Sequence, residues 1–403
     1  MTNSPNTHTH LVSYLEAVDA CIDRTLRQTG LPPEQVALLL PRHRVRPSEA
    51  ARALSHPLVP FYFAVRAHGV PVGHDAEAIG VGFLLFHHAL CLIDDVQDNE
   101  LTESYADMGG AVAINSGLTL FFLALDTLWA AERAGPLAGA WDLRSSLRFN
   151  ALRLSRGQHR DLTGRSQLRT PAMALEIAAE KSAICALLME YAAMYAAAAS
   201  PTRLGGGLEP YRLIGDALAQ IQQITDDAVE LFDLAESQDL RTGTWNVPLT
   251  VFLNMMPQED RAQWAARLRE TDKQEVGRLL YDAKALHQVA AAIETARVCI
   301  HQTFAELPCG GPYLAMLLAW LDDLVAIMYS PRVLHLCVDV TTVDNTGLHP
   351  ADATLFERLR AAWCAAQSAQ RTTQTNNAAH ACSHPCTAPM ATSRVTHTGS
   401  PRL

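Results

Sequence analysis

Two aspartate clusters interrupt apolar, helix-patterned stretches of this chain: Asp94-Asp95-Val96-Gln97-Asp98 and Gln223-Ile224-Thr225-Asp226-Asp227. The first follows Val81-Gly82-Phe83-Leu84-Leu85-Phe86 and Ala89-Leu90-Cys91-Leu92-Ile93, a run too apolar all round for a surface helix. Unpaired carboxylates in such surroundings are costly, so a fold that accepts both clusters must bring something cationic to them. On a helix, Asp94 and Asp98 stand at i and i+4 and project from one face, with Asp95 at its edge. Asp226, Asp227 and Glu230 repeat the arrangement. One such cluster is usually a solvated helix face; two in apolar surroundings are better explained as opposed walls of a cavity. Hard oxygen ligands with open coordination positions suit Mg²⁺ held jointly by carboxylates and phosphate oxygens, so the expected ligand is a metal-bound diphosphate.

Helical periodicity runs from about Leu11 to Gln367, broken at Pro32-Pro33, Pro71, Gly109-Gly110, Gly135-Pro136, Gly205-Gly206-Gly207, Pro257, Pro308 to Pro312 and Pro331. No period-two alternation rivals it, and no Gly-rich phosphate loop follows a strand. The segment Val333 to Val343 is β-branched, but one short extended piece does not make a sheet. The fold class expected is therefore all-α, a bundle of long helices. Residues 1–10 are expected to be disordered, 11–367 to form one helical domain, and 368–403, rich in Gln, Thr, Asn, Ser and Pro, to form a disordered tail. The tail's His380-Ala381-Cys382-Ser383-His384-Pro385-Cys386 has metal-ligand residue types but no framework, and is read as coincidence.

With 403 residues, 49% of them hydrophobic, the chain can bury a substantial core. A formal charge of −10 argues against nucleic acid and against an anionic membrane surface as partners. The nine cysteines are scattered, mostly in apolar helical segments, and read as small hydrophobes in a reducing compartment. The polar N-terminus carries no secretory signal pattern, and the longest apolar stretch, Ser182 to Ala199, contains Glu190 and reads as a core helix. A cytoplasmic protein without a stable membrane span is expected.

Several pieces of sequence, in order, resemble the trans-polyprenyl diphosphate synthases, and most of all their geranylgeranyl diphosphate synthase branch. Leu92-Ile93-Asp94-Asp95-Val96-Gln97-Asp98-Asn99 resembles the family's first aspartate-rich motif, and Ile114-Asn115-Ser116 the start of the following helix. Gly157-Gln158 with Asp161 resembles its GQxxD segment, and Lys181-Ser182 its Lys-Thr pair. Gln223-Ile224-Thr225-Asp226-Asp227 resembles the second motif, and Asp239-Leu240, Gly243 and Pro248 the DLxxGKxxxP stretch. The resemblance covers roughly residues 50 to 255. It implies the class I isoprenoid synthase helical bundle with a central cavity, paired as a homodimer through long helices. Mg²⁺, three ions in such enzymes, would bridge Asp94, Asp95 and Asp98 on one wall and Asp226 on the other to an allylic isoprenyl diphosphate. Asp227 is implied as a further or alternate metal ligand. Lys181, Gln223, Gln158 and Asp161 are implied in substrate binding, with Lys181 and Gln223 touching the diphosphate as the reaction proceeds.

The departures narrow the function. Chain-elongating members hold a second substrate, isopentenyl diphosphate, with basic residues in two segments. Here Ala53 stands at the usual Lys and His56 at the usual Arg. After Asp98 the chain carries Glu100, Glu103 and Asp107 and no base, and Gly243 is followed by Thr244 instead of Lys. A free diphosphate needs several charge-assisted hydrogen bonds, and these carboxylates would repel it. The expected activity is ionisation of a C15 or C20 allylic diphosphate with the cation captured intramolecularly, as in a terpene cyclase, or by a non-diphosphate acceptor. Chain elongation and a non-catalytic subunit of a heteromeric synthase are the alternatives.

Secondary candidates are His87 or His88 as a base, Ala89 and Leu90 as residues setting pocket depth, and Phe61, Phe83, Phe86 and Trp245 as cation-facing rings. Arg156, Arg160 and Arg241 could supply diphosphate contacts that the missing lysines do not. Residues from Met256 to Gln367 are expected to complete the bundle, with Asp322-Asp323 on a helix surface.

Overall fold

The computed structural model describes residues 5–39, 50–99, 101, 103–134, 142–165, 167–199, 207–232, 237–326 and 328. The described residues form helices and no strand: α1 (Pro5–Arg27), α2 (Pro33–Leu39), a 3₁₀ turn (Ala50–Ser55), α3 (Val59–Ala67), α4 (His74–Asp98), α5 (Glu103–Ala106), α6 (Gly110–Ala134), α7 (Leu143–Thr163) and α8 (Pro171–Lys181). They continue as α9 (Ile184–Ala199), α10 (Glu209–Phe232), α11 (Gln238–Thr242), α12 (Val247–Met255), α13 (Arg261–Glu270), α14 (Lys273–Asp282), α15 (Ala285–Glu306) and α16 (Gly311–Ala326). Among the described residues, the breaks anticipated at Pro and Gly fall between helices or in a helix's first turn. Val333–Val343, the 368–403 tail and its His/Cys cluster lie outside the described residues.

The sequence signals behind the helix ends are local. Asp142, Thr170, Ser237 and Asn246 each accept a hydrogen bond from a backbone N–H in the first turn of the helix they precede, and Pro171 and Pro248 fit first-turn positions with no N–H needed. Asn99 ends α4 in the left-handed conformation, φ 59°, which a short polar side chain tolerates. At the N-terminus the expected boundary moves: α1 begins at Pro5, inside the ten residues expected to be disordered. His10 lies 3.4 Å from the Tyr313 hydroxyl, which ties this turn to α16.

Close approach at glycines sets the layout. A Cβ on Gly82 would lie 2.5 Å from Leu128, and one on Gly117 would lie 3.2 Å from the Ala89 carbonyl, so α4 and α6 pack tightly along their length. A Cβ on Gly215 would meet the Ala186 Cα at 2.3 Å, which locks α10 against α9. The expected core helix from Ser182 begins later, at Ile184, because the chain bends by 52° between α8 and α9. That bend leaves Lys181 as the last residue of α8, pointing toward α4 and α10.

By length and composition alone, α4 and residues 110–133 of α6 could each cross a membrane. Their settings differ: 67% of the apolar window of α4 is buried within the bundle but only 33% of that of α6. Ile114, Leu118, Phe122 and Trp129 of α6 are among the exposed large apolar residues.

Candidate active site

Helices α4, α7, α8 and α10 enclose a cavity of about 1440 Å³. Asp94 and Asp98 line it from α4, Gln158 and Asp161 from α7, Lys181 from α8, and Gln223, Asp226 and Asp227 from α10. Residues far apart in sequence thus meet at one hollow. Asp95 is the exception among the expected site residues: it does not line the cavity, because the i, i+4 pair takes the inner face and leaves it to the side.

Both clusters sit at the C-terminal ends of their helices, and neither α4 nor α10 has a basic residue in its last turn. Carboxylates there face the negative end of the helix dipole as well as one another. The charge balance is lopsided: among the described residues, eight carboxylates line the cavity with three permanent cations, Arg165, Arg169 and Lys181. Burial raises Asp94 above the usual carboxylate range, with Lys181 opposing and Asp98, Asp95 and Asp161 adding to the rise. Burial, then the neighbouring Asp227 charge, push Asp226 up to about 7. Asp226 is itself exposed, on the side that lines the cavity, so the upward direction stands while water screens its magnitude. Burial with Asp227 and Glu230 lifts Asp239 to about 8.

The cations are already committed. Lys181 Nζ donates to Asp161 Oδ2 at 2.9 Å and Arg169 Nη1 to Asp161 Oδ1 at 2.8 Å. Burial alone would deprotonate Lys181, but Asp161, Asp94 and Asp227 outweigh it and hold its pKa above the ordinary lysine value. Asp161 is likewise pushed up by burial and pulled further down by Lys181 and Arg169, so it stays ionised. Arg165 pairs with Asp98. Gln158 Nε2 donates to Asp94 Oδ1 at 2.6 Å and to Gln97 Oε1 at 2.9 Å.

On the second wall, both oxygens of Asp227 are hydrogen-bonded. It accepts from Gln223 Nε2 at 2.8 Å and from the Val247 backbone N–H at 2.9 Å, and so anchors the start of α12. Gln223 in turn accepts from the Ser182 hydroxyl at 3.2 Å, tying the α8–α9 bend to this wall. Glu230 accepts from the Ser237 hydroxyl and the Asp239 N–H. Asp226 has the clearest opening to the cavity.

The donor set fits a hard divalent cation: carboxylate oxygens from two helices, raised in pKa by burial and by one another's charge, which a cation would offset. Among the described residues no three His, Cys, Asp or Glu side chains converge as a finished cage.

Several secondary expectations are corrected. Arg156 and Arg160 do not line the cavity; they pair with Glu180, and Arg160 also with Glu176, on the face of α7 toward α8. The side chain of Arg241 lies outside the described residues. Ala89 is buried toward α6 and only Leu90 of that pair lines the cavity. Phe83, Phe86 and Trp245 line it, whereas Phe61 packs beside Tyr14 and Tyr195. His87 lines it, stacked on Phe83 with centroids 6.1 Å apart, and His88 does not. Asp322 pairs with Arg297 on the surface, but Asp323 reaches the cavity.

Arg165, Arg169, Glu230, Asp239 and Asp323 are the lining charges, among the described residues, not counted among the expected site residues. A signal for Arg165 existed: 158, 161 and 165 follow i, i+3, i+7 spacing, the face of α7 that carries Gln158 and Asp161, whereas 156 and 160 lie on the next face.

A sequence-family model described as "Polyprenyl synthetase" matches residues 59–284. No curated protein matches the chain in sequence. Among solved structures, a decaprenyl diphosphate synthase from Rhodobacter capsulatus is similar with a TM-score of 0.64 at 19% identity, covering 79% of this chain and 98% of that one. A geranylgeranyl pyrophosphate synthetase from Pyrococcus horikoshii gives 0.62 at 18% identity, covering 79% and 99%. A Caulobacter crescentus polyprenyl synthase complexed with calcium and isoprenyl diphosphate gives 0.62 at 19%, covering 79% and 97%. At these identities the likeness is one of fold.

Proposed function

The chain belongs to the polyprenyl synthetase family, and from that premise we propose that it is a Mg²⁺-dependent enzyme that ionises an allylic isoprenyl diphosphate and captures the cation without a second diphosphate. The capture is intramolecular, as in a terpene cyclase, or by a non-diphosphate acceptor. One observation supports this reading: among the described residues, all three permanent cations of the cavity are paired with carboxylates, while Asp94, Asp98 and Asp226 line the same cavity from two helices. A diphosphate can enter such a site only together with metal. A second diphosphate bound without metal would need Arg forks of its own.

Asp94, Asp98 and Asp226 would hold the ions, with Asp227 fixing the position of Asp226 through Gln223 and Val247. When bound, Mg²⁺ supplies neutralisation of the charge that builds on the departing diphosphate. Lys181, kept protonated by Asp161, Asp94 and Asp227, adds a fixed positive charge between the walls. Phe83, Phe86, Leu90, Phe121 and Leu188 line the apolar part and would exclude water from the allylic cation. A cavity of about 1440 Å³ exceeds the roughly 300–1,000 Å³ of common small-ligand sites, which supports a C15 or C20 chain. The exposed apolar face of α6, Ile114, Leu118, Phe122 and Trp129, supports pairing with a second copy into a homodimer.

The test is incubation of the purified chain with Mg²⁺ and geranyl, farnesyl or geranylgeranyl diphosphate, each with and without isopentenyl diphosphate. Pyrophosphate release from the allylic substrate alone is expected. Strict dependence on isopentenyl diphosphate would transfer the chain to the elongating class. Residues 40–49, which include Arg42, Arg44 and Arg46 and lie outside the described residues, would then be the first place to look for the bases. No turnover with any combination would favour the non-catalytic subunit.

A further inference from the structure

The three cavity cations are not equally committed. Lys181 and Arg169 both bond Asp161, which is 6% exposed, so withdrawing either would strand a charge in the interior. Arg165 differs. Its partner Asp98 is 26% exposed and belongs to the cluster proposed to take metal, so a cation arriving there would replace the guanidinium rather than leave the carboxylate bare. The Nε–H of Arg165 is buried and has no hydrogen-bond partner, an unused donor on a side chain that lines the cavity. An unmade bond of this kind is a standing cost that an oxygen-rich ligand would remove. The segment after Asp98 offers no base that could do the same work, since Asn99 to Asp107 carries acids only.

We propose that Arg165 is an exchange residue. It neutralises Asp98 while the site is empty, gives up that carboxylate to the incoming metal, and carries its guanidinium, Nε included, onto the diphosphate that enters with the metal. This rests on the metal-bound allylic diphosphate proposed above and adds a named contact. Arg suits the task because its planar fork can leave a carboxylate and meet two phosphate oxygens with the same donors. The tie also explains how the ends of α4 and α7 stay together in the absence of ligand: Gln158 of α7 holds Asp94 and Arg165, two residues past the end of α7, holds Asp98.

The proposal predicts opposite changes in two affinities. Titration calorimetry on the full chain, with Mn²⁺ alone and then with inorganic pyrophosphate in saturating Mg²⁺, compares wild type with Arg165→Gln and Arg165→Lys. In Arg165→Gln the competitor for Asp98 is gone, so Mn²⁺ alone is expected to bind about 3- to 10-fold more tightly, while pyrophosphate with Mg²⁺ binds about 10- to 100-fold more weakly. Arg165→Lys keeps the charge but not the fork: Mn²⁺ affinity is expected near wild type and pyrophosphate affinity between the other two. If both affinities fall together, or neither moves, Arg165 is a structural tie and the proposal is wrong. It is equally wrong if the substitution alters only the affinity for metal-free isopentenyl diphosphate, since the residue would then serve a second substrate. Failure of the underlying functional reading looks different: wild type itself would bind no pyrophosphate in the presence of Mg²⁺. Circular dichroism of both variants confirms that folded protein is being compared.

Discussion

Asp226→Asn should make the metal-free protein more stable and the enzyme inactive. The carboxyl of Asp226 moves from 3.8 to about 7 on folding, through burial and the Asp227 charge. Its folded pKa lies above its unfolded one, so between those values the folded state holds a proton that the unfolded chain has lost. Stability of the metal-free protein therefore falls as pH rises from about 4 to about 7, and the loss is complete above that. At about 1.36 kcal/mol per pH unit the gross penalty near pH 8 is about 4 kcal/mol. Asp226 is open to water in the cavity, which screens it, so about 1–2 kcal/mol is the expected share. An uncharged isostere removes that share. In a chelator at pH 8, Asp226→Asn should melt roughly 2–5 °C above wild type, and the gain should shrink to less than half at pH 5. Adding Mg²⁺ and pyrophosphate at pH 8 should reverse the order, because only wild type retains the ligand. Pyrophosphate release from farnesyl or geranylgeranyl diphosphate should fall by about 10²-fold or more. A variant that melts lower than wild type in chelator at pH 8, or a gain that does not vary with pH, would refute the argument that the second wall is held under electrostatic stress until a cation binds.

Other outcomes follow from the same geometry. Gly157→Ala would put a Cβ 2.6 Å from the Lys181 backbone nitrogen. Helix propensity favours the change by about 1 kcal/mol, but relieving the clash costs about 1–3 kcal/mol and moves Lys181. Melting should change little or fall while turnover falls at least tenfold; normal turnover would show that Lys181 placement is not critical. Arg156→Ala, which removes a partner of Glu180 outside the cavity, should leave kcat/KM within about twofold. A larger loss measured by pyrophosphate release would restore Arg156 to the site. Glu190 is 0% exposed and bonds Arg212 and Ser146, so Glu190→Gln should destabilise by about 1–3 kcal/mol in denaturant titration with KM unchanged. Chelation of divalent ions should abolish pyrophosphate release and Mg²⁺ should restore it; turnover that persists in chelator would remove metal from the proposal.

The all-α class, the positions of most helix breaks and the two acidic faces were legible in the sequence because each depends on local physics. Period 3.6, the breakers Pro and Gly, and i, i+4 carboxylates announce themselves within a few residues, as α4 with Asp94 and Asp98 does. What lay beyond local pattern was decided by packing. Helix spacing already put Asp95 at the edge of its face, but nothing near 156 or 160 says that Glu176 and Glu180 of another helix will claim those arginines. Arg165 and Arg169 gained their place because the end of α7 and the residues after it meet Asp98 of α4 and Asp161 of α7 in space. Charge partners are chosen by distance in space, and a one-dimensional string carries distance only along itself. The chain thus stated which groups it would bring to its chemistry, while the tertiary structure determined which of them face one another across the cavity and which already hold a counter-ion.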